Sequence, residues 1–232
     1  MSAGRFDRAL DRPVWNMLHG RQAHLAVASG TVCRIDPAYG PFAAAAPGHE
    51  AELAGLLTSA EDEIWIVETT ELAPPPGTRV SRTAPLLQMI ADGPVAAYAP
   101  DPEIEVLTEA DAAEMAALAH ATEPGPWHPL THRYGTFFGI RREGRIVAMA
   151  GERMRPAPGI AEISAVCTLP ETRGQGLATR LIRHGMAGFA ARGDTPFLHS
   201  YAANIHAIRL YESLGFRARS AMVVTVLGRV DS

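Results

Sequence analysis

The chain of 232 residues contains no lysine; all 21 of its basic residues are arginine. That absence excludes a phosphate loop ending in Gly-Lys-Ser/Thr, whose lysine reaches the terminal phosphates. It also leaves the protein no lysine side chain of its own to acylate. Cysteine is scarce: Cys33 and Cys167 are the two. They are too few for a disulfide framework, and with the scattered histidines they form no metal-ligand spacing, so reduced thiols and no metal are expected. No apolar run approaches the ~18 to 20 residues that cross a bilayer. The N-terminal stretch with Asp7, Arg8, Asp11 and Arg12 lacks the apolar centre of a signal segment, so cytoplasmic residence is expected. Net charge is −4 and the arginines are dispersed, which is not the footprint of a nucleic-acid binder; neither nucleic acid nor membrane is expected as a partner.

What the chain does have is a core-forming share of hydrophobic residues, 47%, and one informative stretch, Arg173-Gly174-Gln175-Gly176-Leu177-Ala178-Thr179. It follows a strand-like run, residues 162–168, and opens a helical pattern in which Leu177, Leu181, Ile182, Met186 and Phe189 recur on one face. A strand that turns through glycines into a helix start gathers unpaired N–H groups and the positive end of the helix dipole at one point, which suits a diphosphate. The dinucleotide fingerprint is not met, because Gly174-x-Gly176-x-x ends on Thr179 and Asp194 precedes the next strand, where an acid closing it is needed.

Proline and glycine punctuate the middle of the chain (Pro74-Pro75-Pro76-Gly77, Asp92-Gly93-Pro94, Pro100-Asp101-Pro102), and a boundary near residue 100 divides it into 1–100 and 101–232. The N-terminal segment reads as an α/β unit. Helices are expected at Val14 to His24 and Glu50 to Leu57, with strands at Leu25 to Ala28, Thr31 to Ile35 and Glu63 to Val67 and a short apolar run at Leu86 to Ile90. The C-terminal segment reads as a strand at Ile104 to Leu107, a helix from Glu109 to His120 and a hairpin over Thr136 to Glu152. The central strand, the loop, its helix and a strand at Phe197 to Tyr201 follow, then a helix from Asn204 and two last strands, near Phe216 to Arg219 and Met222 to Leu227. Asn204 suits a helix cap and Gly215 a stop.

The loop resembles the acyl-CoA loop of the GNAT superfamily of N-acyltransferases, whose Gln/Arg-x-x-Gly-x-Gly/Ala is met by Arg173, Gly176 and Ala178. Val166 to Pro170 is similar to the family's strand before the loop, and Asn204 to Phe216 to its N-x-x-A-x-x-L-Y-x-x-L-G-F helix. The resemblance implies a GNAT fold, an α/β mixed sheet with helices on both faces, over 101–232. Residues 1–100 would form a smaller α/β domain of degenerate GNAT type, without a loop of its own.

It further implies acetyl-CoA as co-substrate, held in a V-shaped gap between 162–168 and 197–201. Val166, Cys167 and Thr168 would run along the pantetheine, and Arg173, Gly174, Gln175, Gly176, Leu177, Ala178 and Thr179 would cradle the pyrophosphate. Asn204 and Tyr211 would contact the cofactor, with Tyr211 as the acid that protonates the departing thiolate. Glu162 would be the general base, acting through water unless a bulge shortens its path. Each has a plainer reading: Asn204 as a cap, Tyr211 as a packed aromatic, Glu162 as the ion-pair partner of Arg153 or Arg155. By alternation Glu162 shares a face with Ser164, Val166 and Thr168, and Cys167 faces away and packs. Trp15 and Trp65 are expected in the core. Trp127, His128, His132 and Tyr134 either border the acceptor pocket or cap the core. The implied activity is acetyl transfer to a primary amine of a small molecule, amino acid or protein lysine, by direct attack in a ternary complex. The alternative is a non-catalytic acyl-CoA sensor or interaction module.

Overall fold

The computed structural model describes residues 6–94 and 98–230. A short pair of helices, α1 (Asp7–Asp11) and α2 (Pro13–Leu18), precedes a small antiparallel sheet of β1 (Ala26–Ala28), β2 (Val32–Ile35) and β3 (Ala43–Ala45). Two longer strands follow, β4 (Glu63–Glu68) and β5 (Thr78–Ile90). Beyond residue 100 come β6 (Ile104–Leu107), α3 (Ala112–Thr122), β7 (Phe137–Arg142), β8 (Arg145–Glu152) and β9 (Ile160–Thr168). The chain closes with α4 (Leu177–Ala191), β10 (Thr195–Tyr201), α5 (Ile205–Ser213) and β11 (Arg217–Arg229). The class is mixed α/β, with a second, smaller sheet in the N-terminal segment, as expected.

The large sheet has the order β4-β11-β5-β10-β9-β8-β7-β6, so β5 from the N-terminal segment lies between two strands of the C-terminal segment. Its Leu86 to Ile90 pair with Tyr201 to Phe197 of β10, while its whole length pairs with β11. The helices α4 and α5 cover one face, burying Ile182, Met186 and Phe189 against Ile163, Leu198 and Met89. Helix α3 covers the other face near β8 and β9. Beside it, Leu10, Val14, Met17, Cys33, Ile35 and Phe42 of the N-terminal segment pack on Ile160, Phe197, Met222 and Val224 in one continuous core. Among the described residues no helix is long and apolar enough to cross a membrane.

Several elements differ from the sequence expectation for local reasons. The helix expected to reach His24 ends at Leu18, two residues before Gly20, where a Cβ would stand 2.7 Å from the Asn16 carbonyl oxygen. Residues 50–56 form a 3₁₀ helix. The two last strands are one, β11; the break read near Ser220 is a bulge at Arg219, the extra residue between the pairs Ala218↔Met89 and Ser220↔Gln88. The short run at 86–90 is the end of a strand of 13 residues, whose first half is mostly polar and exposed.

Expressed alone, residues 101–232 would lack β4 and β5, leaving β11 without either neighbouring strand and β10 with an open edge. We expect that fragment to be insoluble or to lack a cooperative unfolding transition by circular dichroism, whereas the whole chain unfolds cooperatively.

Candidate active site

The parallel strands β9 and β10 pair through Thr195↔Ile160, Pro196↔Ala161 and Phe197↔Glu162, and part beyond that point. Two features hold them apart. On one side β10 continues to pair with β5 as far as Tyr201. On the other, β9 bulges at Ala165: Ser164 pairs with Gly151 and Cys167 with Met149, so β9 carries one residue more than β8. Ala165 takes φ 52° to make the bulge, a backbone region unusual for a residue with a side chain. The bulge reverses the alternation, so Val166 packs with Leu181 and Leu177 of α4 while Cys167 packs with Met115 and Leu118 of α3. Cys167 therefore lies on the face of Glu162, opposite to the expectation from simple alternation. Its thiol is pushed up to about 11 by burial.

A cavity of about 380 Å³ occupies the gap. Val166, Cys167, Thr168, Arg173, Ala178, Asn204 and Tyr211 line one end. The buried Thr168 hydroxyl has no hydrogen-bond partner among the described residues. At the loop, Gly174 and Gly176 take φ 79° and 74°, and a Cβ on either would meet nothing within 4 Å, leaving the approach to the backbone open. Gly176 caps α4 without a side-chain bond, and the first amide of the helix to find a backbone partner there is Arg180, bonded to the Gly176 carbonyl. The amides of Gly176, Leu177, Ala178 and Thr179 are thus available to an anion. The Leu177 side chain turns into the core, Thr179 is half-buried, and Gly174, Gln175 and Arg173 are exposed. Asn204 both caps α5, accepting from the Ala207 amide at 3.2 Å, and lines the cavity. Burial in the wall pushes the Tyr211 phenol up to about 12, so it is a protonated donor at neutral pH.

The other end of the cavity is walled by Phe42, Trp65, Val67 and Leu86 of the N-terminal segment, with Met154, Tyr201 and Val224. Arg153 and His199 are its inward polar groups near the vertex of the gap. Glu162 is buried behind them and does not line the cavity. Its carboxylate accepts from Arg153 Nη2 at 2.7 Å, Arg153 Nε at 2.9 Å, His199 Nδ1 at 2.8 Å and the Met154 amide at 3.3 Å. Burial alone would raise the carboxyl, but the Arg153 guanidinium and the His199 N–H outweigh it and hold Glu162 at about 2. The carboxylate thus makes the ion pair with Arg153 that was its plainer reading. Behind His199, Gln88 accepts from Arg219 Nη1 at 2.8 Å and donates its amide to the Leu10 carbonyl at 2.9 Å. That amide also faces His199 Nε2 at 2.9 Å, so the imidazole is held with its proton on Nδ1.

Sequence reasoning missed most of this second end. Trp65, expected in the core, is half-buried and lines it. His128 bonds the Pro37 carbonyl and His132 bonds Glu109, while Trp127 and Tyr134 line a separate small pocket, so these four cap the core around the site. Among the described residues no cluster of three or more His, Cys, Asp or Glu could hold a metal.

The Glu162 carboxyl titrates lower in the folded chain than its ordinary value near 4.5. Its stabilisation is therefore complete above that value and is lost as pH falls toward 2, on the order of 3 kcal/mol. Glu162→Gln strands the Arg153 charge and should cost roughly 3 to 5 kcal/mol at pH 7. Urea unfolding at pH 7 and pH 3 checks both, the variant losing less stability between the two than the parent.

Comparisons with known proteins agree with this geometry. The family described as FR47-like protein matches residues 137–224. Two mycothiol acetyltransferases are similar: one from Thermobispora bispora, 40% identical over 86 residues, and one from Streptomyces griseus, 31% identical over 122 residues. The matches cover 34% and 52% of this chain, and it spans only 29% and 36% of the lengths of these curated relatives. A solved structure from Novosphingobium aromaticivorans, a protein of the GNAT family, is 66% identical, with a TM-score of 0.94 over 96% of this chain and 99% of the other. A likeness of that extent, with the loop, the parted strands and the capped α5 in place, means that the chain belongs to the GNAT family of acetyltransferases.

Proposed function

We propose that the chain transfers the acetyl group of acetyl-CoA to the primary amine of a small molecule, by direct attack in a ternary complex. The observation that carries this reading is the continuous cavity that runs from Arg173 and Ala178, past Val166 to Thr168 and Tyr211, into a chamber walled by the N-terminal segment. The residues present fit the co-substrate. The uncapped start of α4 offers amides to the pyrophosphate, Arg173 adds a cation without a carboxylate partner among the described residues, and the strand edge at 166–168 offers peptide groups to the pantetheine.

In the reaction a neutral amine forms the new C–N bond at the thioester carbonyl while the C–S bond breaks. Tyr211 supplies a proton to the thiolate and the nitrogen gives up its own to solvent. Tyr211 on the cavity wall supports transfer over a sensor that only binds. Glu162 is spoken for by Arg153 and His199, and the ring lone pair of His199, on Nε2, meets the Gln88 amide behind it. Neither group at the vertex is therefore free to act as a base, and the acceptor reacts in the fraction that is already neutral. The acceptor end has walls from both segments of the chain, which favours a small molecule over a protein lysine.

Arg173→Glu should weaken binding of CoA at least tenfold by calorimetry, whereas Tyr211→Phe should bind it normally and lower kcat about 10- to 100-fold. With the parent chain, thiol release at saturating acetyl-CoA should rise with pH between roughly 6 and 9, along a limb that moves with the pKa of the acceptor amine. A limb fixed at one pH for acceptors of different pKa would mean that a side chain acts as base.

A further inference from the structure

The acceptor end of the cavity has a definite chemistry, and resting on the acetyl-transfer reading, we propose that its amine belongs to a molecule with a carboxylate and an apolar or aromatic body, an amino-acid-like acceptor. Arg153 would hold the carboxylate. Of the five N–H donors of a guanidinium, Glu162 takes one from Nε and one from Nη2. The Nη1 amine makes no hydrogen bond among the described residues, and the side chain, 15% exposed, lines the cavity. The guanidinium is held on one edge by a fully buried carboxylate and stacked 5.1 Å from the Phe42 ring. Its outer edge is therefore pre-oriented, at no further cost in side-chain freedom, for a planar oxyanion.

Glu162 neutralises Arg153 in formal charge but does not reach the cavity, because all its hydrogen bonds point to Arg153, His199 and the Met154 amide. A second cation lies against two aromatic rings of the wall. Arg82 on β5 is exposed, stacks 4.6 Å from the Trp65 ring and lies 5.9 Å from that of Tyr201, with no carboxylate partner among the described residues. The remaining wall is apolar and aromatic: Phe42, Trp65, Val67, Leu86, Met154 and Val224. The one carboxylate on the lining is Glu123, exposed at the end of α3. A polyamine or another polycation would find the Arg153 guanidinium and a single exposed acid, the reverse of what it needs. An amine joined to a carboxylate and an apolar side chain fits both the charge and the surface.

The test compares matched pairs in the thiol-release assay with the whole chain and acetyl-CoA: phenylalanine against 2-phenylethylamine, leucine against 3-methylbutylamine, and spermidine as the polycation. The amino acid of each pair should exceed its decarboxylated partner in kcat/KM by at least tenfold, the margin one charge-assisted hydrogen bond supplies. Spermidine should be the poorest. Calorimetry with N-acetylphenylalanine and N-acetyl-2-phenylethylamine gives the same comparison without turnover. Arg153→Met alone strands Glu162, so the paired exchange Arg153→Met with Glu162→Gln is used; folded and binding acetyl-CoA, it should lose the preference for the carboxylate. Arg82→Ala should raise KM for the amino acids and not for the amines. Equal or better use of the decarboxylated partners, or a preference that survives the paired exchange, overturns the inference. If no amine releases thiol although acetyl-CoA binds, the acetyl-transfer reading falls and this inference with it.

Discussion

Two neighbouring parallel strands that stop pairing inside a protein leave peptide groups without partners, and buried peptide groups are rarely left so. In this chain β9 and β10 part after Phe197 and Glu162, and everything at the site depends on that parting. The strands are pulled to opposite sides by pairings they cannot give up, β10 with β5 and β9 with β8, and the extra residue at Ala165 sharpens the divergence. The vertex is closed by the Arg153–Glu162–His199 cluster. A carboxylate set there ties both strands to the turn after β8 and pins the opening.

The N-terminal segment is built into the same device. By inserting β5 beside β10 it fixes one wall of the gap, and by bringing Phe42, Trp65 and Val67 over the opening it shapes the space where an acceptor would lie. The glycine-rich loop stands in the C-terminal segment and the wall of the chamber in the N-terminal one, so the two segments contribute different parts of the site to one sheet. Its polar bonds run into the site as well: Gln88 of β5 sets the tautomer of His199, and its own amide is anchored on the Leu10 carbonyl of α1.

What could be read from the sequence was local. Glycines at 174 and 176, an asparagine cap at 204 and the amphipathic pattern of α4 are each decided within a few residues, and the loop and its two helices stand where those signals put them. The insertion of β5 was not legible. Its first half is polar and exposed, and Pro85, an unfavourable residue for a central strand, falls just past the end of the pairing with β10. The bulge was hidden because alanine, not glycine, carries the positive φ. The acceptor wall was hidden because it joins residues near 42, 65, 86, 153 and 224, which only the tertiary fold assembles. The Glu162 partner was within reach of sequence reasoning, since Arg153 follows the hairpin strand next to it.

Hydrogen–deuterium exchange of the whole chain with and without saturating acetyl-CoA tests the central claim most directly, because it reads the backbone groups the parted strands leave open. The account predicts slowed exchange at the amides of 166–168 and 174–179, with residues 26–45 of the small sheet unaffected. Protection confined to another surface, or none at a concentration where the ligand is bound, would contradict it.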